Sequence, residues 1–208
     1  MPDFSIEKQF TDPVIGLDEV GRGPLAGPVI SCGCYFKNYT TQEDFYNLIG
    51  DSKKLTEKKR KVSFVFLQNL KKEGIIDYHL GIANVEEIDK LNILEATKLS
   101  MKRVVDKFNL QSAQLIIDGN FSLNYKSYKE QSIIKGDEKV QEISAASIMA
   151  KVYRDRYMNL LHFKYPNYNF IINKGYPTKD HIDRLKKFGL TPFHRLSFKP
   201  CVFIRNTI

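Results

Sequence analysis

The sequence predicts an α/β fold in one main domain, and three observations carry that expectation. Short apolar runs of strand length, Val14 to Asp18 and Gln114 to Ile117 among them, stop at acidic or glycine residues. Longer segments between them repeat apolar residues at helical spacing. The 208 residues suffice to bury one good-sized core, and no repeat, low-complexity tract or long Pro/Gly/Ser linker divides them.

Taken in order, the first strand is Val14 to Asp18, an apolar run that ends on acids. Pro28 to Phe36 follows as the second, because β-branched, Cys and aromatic residues continue without a helix signal. Thr56 to Leu70 predicts a helix opened by a Thr cap and Lys-rich turns. Ile76 to Ile82 is the third strand. Val85 to Phe108 carries Ile88, Leu91, Leu94 and Leu99 at helical spacing, which predicts one long helix. Gln114 to Ile117 reads as a buried central strand, and a short strand falls near Ser132 to Ile134. A third helix is expected from about Glu138 to Phe163. From about residue 164 to 208 the short elements are punctuated by Gly175, Pro177, Pro192 and Pro200, which predicts a small C-terminal helical cap on a core spanning about 14 to 163.

The formal net charge of +8 and pI near 9.2 favour a polyanionic partner, since each phosphate neutralised by Lys or Arg releases counterions. A merely soluble basic protein has the same balance, so charge needs a site beside it. Cys32, Cys34 and Cys201 are odd in number and lack metal-type spacing to histidines, which predicts reduced thiols and a cytoplasmic setting. No stretch approaches the ~18 apolar residues of a membrane-spanning helix, and Met1-Pro2-Asp3-Phe4 has neither the basic nor the apolar part of a secretory signal.

The most informative stretch is Val14-Ile15-Gly16-Leu17-Asp18-Glu19-Val20-Gly21-Arg22-Gly23-Pro24. Two hard acids at a strand end suit Mg²⁺ or Mn²⁺, while glycines let backbone N–H groups approach a polyanion and Arg22 offers a fork for its oxygens. Metal-assisted phosphodiester chemistry is the inference. A dinucleotide fingerprint is disfavoured, because Asp18 and Glu19 would repel a pyrophosphate and a strand follows where a helix is required. A turn with solvated acids is the bland alternative. Adjacent strand residues face opposite sides, so Asp18 and Glu19 can share a metal site only if the strand ends or bulges there.

Leu115-Ile116-Ile117-Asp118-Gly119-Asn120 repeats the pattern of an apolar strand ending in Asp. Alone it is no more than a turn, but two such strands can bring distant carboxylates to the crevice where open α/β sheets bind ligands. Lys135-Gly136-Asp137-Glu138 adds a third acid before the small run Ser144-Ala145-Ala146-Ser147. Asp137 suits either helix capping or cation binding. Lys151, Arg154 and Arg156 place positive charge along that helix, which by itself is a solvated face.

Gly16 through Val29, Asp51-Ser52-Lys53-Lys54-Leu55, Ile117-Asp118-Gly119, Lys135-Gly136-Asp137, Ser144 through Arg156, Lys174-Gly175-Tyr176-Pro177-Thr178 with His181, and His194-Arg195-Leu196-Ser197-Phe198 together closely resemble bacterial ribonuclease HII. The motifs stand in that family's order from about residue 14 to 200. The long N-terminal platform domain of related type III enzymes has no room before Val14. The resemblance implies a ribonuclease H-like mixed β-sheet flanked by helices, with Asp18, Glu19, Asp118 and Asp137 as catalytic and metal-binding residues for Mg²⁺ or Mn²⁺. It implies cleavage of the RNA strand of RNA–DNA hybrids and nicking of duplex DNA on the 5′ side of an embedded ribonucleotide, leaving 5′-phosphate and 3′-hydroxyl, with a place in ribonucleotide excision repair. Gly21, Arg22 and Gly23 look like the loop that senses the ribose 2′-hydroxyl, and Tyr176 like the aromatic that stacks at the RNA-to-DNA step. Lys53, Lys54, Lys151, Arg195 and Ser197 are further candidate substrate contacts.

Two cations some 3.5 to 4 Å apart, typical of such sites, would suit four carboxylates. Pro177 stands where the family more often has glycine, stiffening the backbone at Tyr176, and Leu196 where a second arginine is common. A binding-only protein on the same fold is disfavoured by the presence of all four acids. A DNA-only nuclease is disfavoured by Arg22 between two glycines, since it needs no 2′-hydroxyl sensor. A monomer is expected, and no Gln-plus-aromatic motif after Pro200 suggests a sliding-clamp partner.

Overall fold

The sheet is mixed, and its order places the acids. In the computed structural model, which describes residues 4–37, 48–49 and 55–205, five strands run β3-β2-β1-β4-β5. They are β1 (Val14–Val20), β2 (Val29–Phe36), β3 (Ile76–Ala83), β4 (Gln114–Asp118) and β5 (Lys129–Ile133). β1 pairs antiparallel with β2, and β2 with β3, whereas β1–β4 and β4–β5 are parallel. The helices are α1 (Glu57–Lys72), α2 (Val85–Leu91), α3 (Ile93–Val105), α4 (Gln141–Lys164), α5 (Phe170–Asn173), α6 (Lys179–Phe188) and α7 (Lys199–Arg205).

Period-2 alternation sorts β1 and β4 onto two layers. Ile15 and Leu17 with Leu115 and Ile117 face α3, packing on Met101, Val104 and Val105. Val14 and Ile116 face the other way, onto Val140 and Ile143 at the start of α4. By the same parity Asp18 and Asp118 project on the α4 side. Gly16 lies on that side too, and a Cβ there would meet Glu142 Cβ at 2.4 Å, so a residue without a side chain lets α4 lie against the sheet. A separate cluster of Leu25, Ala26, Met158, Leu161, Phe170, Leu185 and Cys201 packs the C-terminal segment against α4.

Three expectations need correction. Val85 to Phe108 is not one helix: Asn92 adopts φ 73, and its side chain accepts from the Leu94 and Glu95 N–H groups to start α3. β1 does not end at Asp18 but continues two residues along β2, to Val20↔Ile30. Asp137 does not cap α4. It lies in a short 3₁₀ turn (Gly136–Glu138), and Glu7 instead accepts from the Gln141 N–H at 2.8 Å. Thr56 does cap α1, accepting from the Lys59 N–H at 3.3 Å. Cys32, Cys34 and Cys201 are free and buried.

Candidate active site where two parallel strands part

Pairing of β1 with β4 ends at Leu17↔Ile117, so Asp18 and Asp118 stand one step beyond the last paired residues on neighbouring strands. Their carboxylates fall at the carboxyl ends of parallel strands, where open sheets present ligand sites. A cleft of about 390 Å³ opens here, lined by Asp18, Glu19, Val20, Gly21, Arg22, Gly23, Arg60, Ser147, Lys151 and Tyr176. Although β1 continues past Asp18, Asp18 and Glu19 both line this cleft.

The electrostatics are those of crowded anions. Burial pushes the Asp18 carboxyl well above the usual carboxylate range; the charges of Glu19 and Asp118 add to this, and a Ser147 hydrogen bond opposes it. Glu19 is raised by burial as well, with Arg22 opposing and Asp118 adding. Glu19 Oε1 meets Arg22 Nη1 at 3.4 Å, and among the described residues Glu19 Oε2 has no hydrogen-bond partner. Asp118 Oδ1 accepts the Gly136 N–H at 2.7 Å, and Asp18 Oδ1 accepts the Glu19 N–H at 2.7 Å.

The four acids are not gathered equally. Asp18, Glu19 and Asp118 are coupled electrostatically. Neither Asp118 nor Asp137 is among the residues lining the cleft, and Asp137 is fully buried one residue from the amide that holds Asp118. Among the described residues no three His, Cys, Asp or Glu side chains already form a metal cage. Each of the three carboxylates is engaged with its own N–H donor. The donor set nevertheless fits a hard divalent cation: carboxylate oxygens with raised pKa values and one unpartnered buried oxygen are what a cation would relieve.

The substrate-side residues divide into two groups. Gly21 has φ +100, and a Cβ there would lie 2.2 Å from Arg154 Nε, so the turn requires glycine. Arg22 is exposed and lies 5.9 Å from the Phe121 ring centroid. Tyr176 is 38% exposed on the cleft wall rather than packed beneath the cap. Lys151 lines the cleft while paired with Asp155 at 2.9 Å. Lys53 and Lys54 lie outside the described residues.

Arg195 and Ser197, two further candidate substrate contacts, are placed differently. Arg195 is fully buried, donating to the carbonyls of Gly21, Arg22 and Gly27. Ser197 donates from Oγ to Asp89 at 2.6 Å and does not line the cleft. Arg154 likewise departs from a solvated face: it is buried, donating to Ala26, Pro28 and Lys174 carbonyls. Sequence patterning missed Arg60 as a cleft residue, because nothing in α1 marks which of its many cations faces the acids.

A mixed five-stranded sheet flanked by helices, with acids at the parted ends of β1 and β4, has the ribonuclease H-like architecture. The chain belongs to the ribonuclease HII family, whose family model matches residues 15–201, and it is by class an endoribonuclease. It is 47% identical over 199 residues to ribonuclease HII of Wolbachia pipientis subsp. Culex pipiens (strain wPip), covering 96% of each chain. The structure is similar to ribonuclease H2 from Pyrococcus horikoshii OT3, with TM-score 0.73 and 27% identity, covering 94% of this chain and 98% of that one. It also matches the PCNA:RNase HII complex from Archaeoglobus fulgidus at TM-score 0.74 and 22% identity, covering 92% and 96%. In that complex the Archaeoglobus fulgidus protein is bound to PCNA.

Proposed function

We propose that this ribonuclease hydrolyses the RNA strand of RNA–DNA hybrids and nicks duplex DNA on the 5′ side of an embedded ribonucleotide, leaving 5′-phosphate and 3′-hydroxyl ends. The observation that carries this is the shared cleft, in which Asp18 and Glu19 face Gly21-Arg22-Gly23 and Tyr176. Mg²⁺ or Mn²⁺ held by Asp18, Glu19 and Asp118, with Asp137 adjoining, would supply an activated water and charge for the leaving 3′-oxygen. Ser147 fixes Asp18 by a hydrogen bond, and Gly136 fixes Asp118. Arg22 is placed to bind beside the ribose, and Tyr176 to stack on the adjoining base. The three free buried thiols support a cytoplasmic setting.

The direct test is a duplex carrying one ribonucleotide, incubated with Mg²⁺, Mn²⁺ or EDTA. Cutting on the 5′ side of the ribonucleotide is expected with either metal, none with EDTA, and none of an all-DNA duplex at any condition. Metal-independent cutting, or equal cutting of the all-DNA duplex, overturns the proposal.

Arg60 and Lys151 flank the acids, so both are expected to contact substrate phosphates. Binding to a hybrid should weaken steeply with salt, each contact contributing roughly 0.9 to the logarithmic slope. Arg60→Gln is expected to flatten the slope by about one such increment, measured by fluorescence anisotropy. An unchanged slope would remove Arg60 from the substrate path.

A further inference from the structure

Two buried histidines lie behind Tyr176, and their hydrogen bonds fix where each proton must be. The Thr191 N–H donates to His194 Nδ1 at 2.9 Å, so that nitrogen is an acceptor and a neutral ring carries its proton on Nε2. His194 Nε2 faces His181 Nε2 at 3.1 Å, which must then accept. His181 therefore carries its proton on Nδ1, 2.9 Å from the Tyr176 carbonyl oxygen. Every proton runs in one direction, from Thr191 through both rings to Tyr176. His181 is fully buried and His194 almost so, packed against the Tyr168 and Phe170 rings. The Tyr176 ring at the far end is open to the cleft.

We propose that His181 and His194 are positioning residues, a neutral one-directional relay that ties Tyr176 to the C-terminal segment and sets its ring against the substrate. This rests on the proposed contact between Tyr176 and the duplex. Burial keeps both rings uncharged, lowering His181 and bringing His194 down to about 3. A charged ring would set two N–H donors face to face and break the chain. The same segment is held elsewhere: the Leu25 N–H donates to the Gly175 carbonyl at 2.7 Å, so the sensing turn and Tyr176 share one anchor.

Imidazole ¹⁵N NMR of the full chain reads the relay without substrate. The expected spectrum shows His181 protonated on Nδ1 and His194 on Nε2; the opposite tautomer in either ring overturns the relay. The functional arm compares His181→Asn, whose amide can still donate to the Tyr176 carbonyl, with His181→Phe, which cannot. The Phe variant is expected to raise KM for a single-ribonucleotide duplex by up to about tenfold, the loss of one buried hydrogen bond, with kcat within about twofold. The Asn variant should recover most of that loss. Equal impairment of both variants, or none in either, overturns the positioning role. Expected tautomers in a wild-type protein that cuts neither hybrid nor single-ribonucleotide duplex would overturn the proposed activity, and with it the positioning role, while leaving the relay standing.

Discussion

Asp18→Asn is expected to lower metal-dependent cleavage by roughly two to three orders of magnitude while leaving the melting temperature unchanged or raised. Asp18 sits in a buried site where Glu19 and Asp118 repel its charge. Its folded pKa therefore lies above the unfolded value, so ionising the group costs stability. That penalty shrinks as pH falls below the raised pKa and is gone below the unfolded value. A neutral isostere removes the penalty and keeps an oxygen that can accept from the Glu19 N–H. It removes the anionic oxygen that would hold a cation, and with it the charge chemistry depends on. Asp118→Asn should behave similarly, since an amide oxygen can still accept from Gly136. The measurement pairs single-turnover cleavage with thermal denaturation. Near wild-type turnover in Asp18→Asn would remove it from the catalytic set. Asp137, buried and off the cleft, is expected to show the smallest loss of the four.

The sheet was legible because its strands announce themselves by local chemistry. Val14 to Asp18 and Gln114 to Asp118 are apolar runs that stop at acids, and alternation then puts Asp18 and Asp118 on one face. The break at Asn92 was not legible. A continuous apolar period runs across it, and the deciding factor is a left-handed backbone stabilised by the Asn92 side chain. The cationic residues were the least readable part of the site. Charge alone cannot distinguish Lys151, on the cleft, from Arg154 and Arg195, which are buried against backbone carbonyls contributed by residues far away in sequence. The histidines show the same limit. The His181–His194 contact spans 13 positions and depends on the C-terminal segment folding back, which no local period encodes.

Arg195→Lys is expected to destabilise the protein by about 3 kcal/mol, lowering the melting temperature by about 6 to 12 °C, and to blunt discrimination between ribose and deoxyribose. Arg195 Nη1 donates to the Arg22 carbonyl at 2.9 Å, Nη2 to Gly21 at 2.5 Å, and Nε to Gly27 at 3.0 Å. A planar fork reaches three separated carbonyls at once, whereas a single ammonium cannot, so buried acceptors are left unpaired. Burial and the neighbouring Arg154 already pull the Arg195 pKa down to about 9, and lysine would carry its charge into the same site on a less suitable head group. The carbonyls concerned belong to the turn that carries Arg22, so loosening them should disturb recognition of the ribose before it disturbs the acids. The phosphate-contact role that the sequence suggested for Arg195 makes the opposite forecast. There, lysine would keep the positive charge at the phosphate, so substitution would leave both the salt dependence of binding and the melting temperature near wild type. Thermal denaturation of this variant therefore decides between scaffold and substrate contact, and a wild-type melting temperature in Arg195→Lys would refute the scaffold.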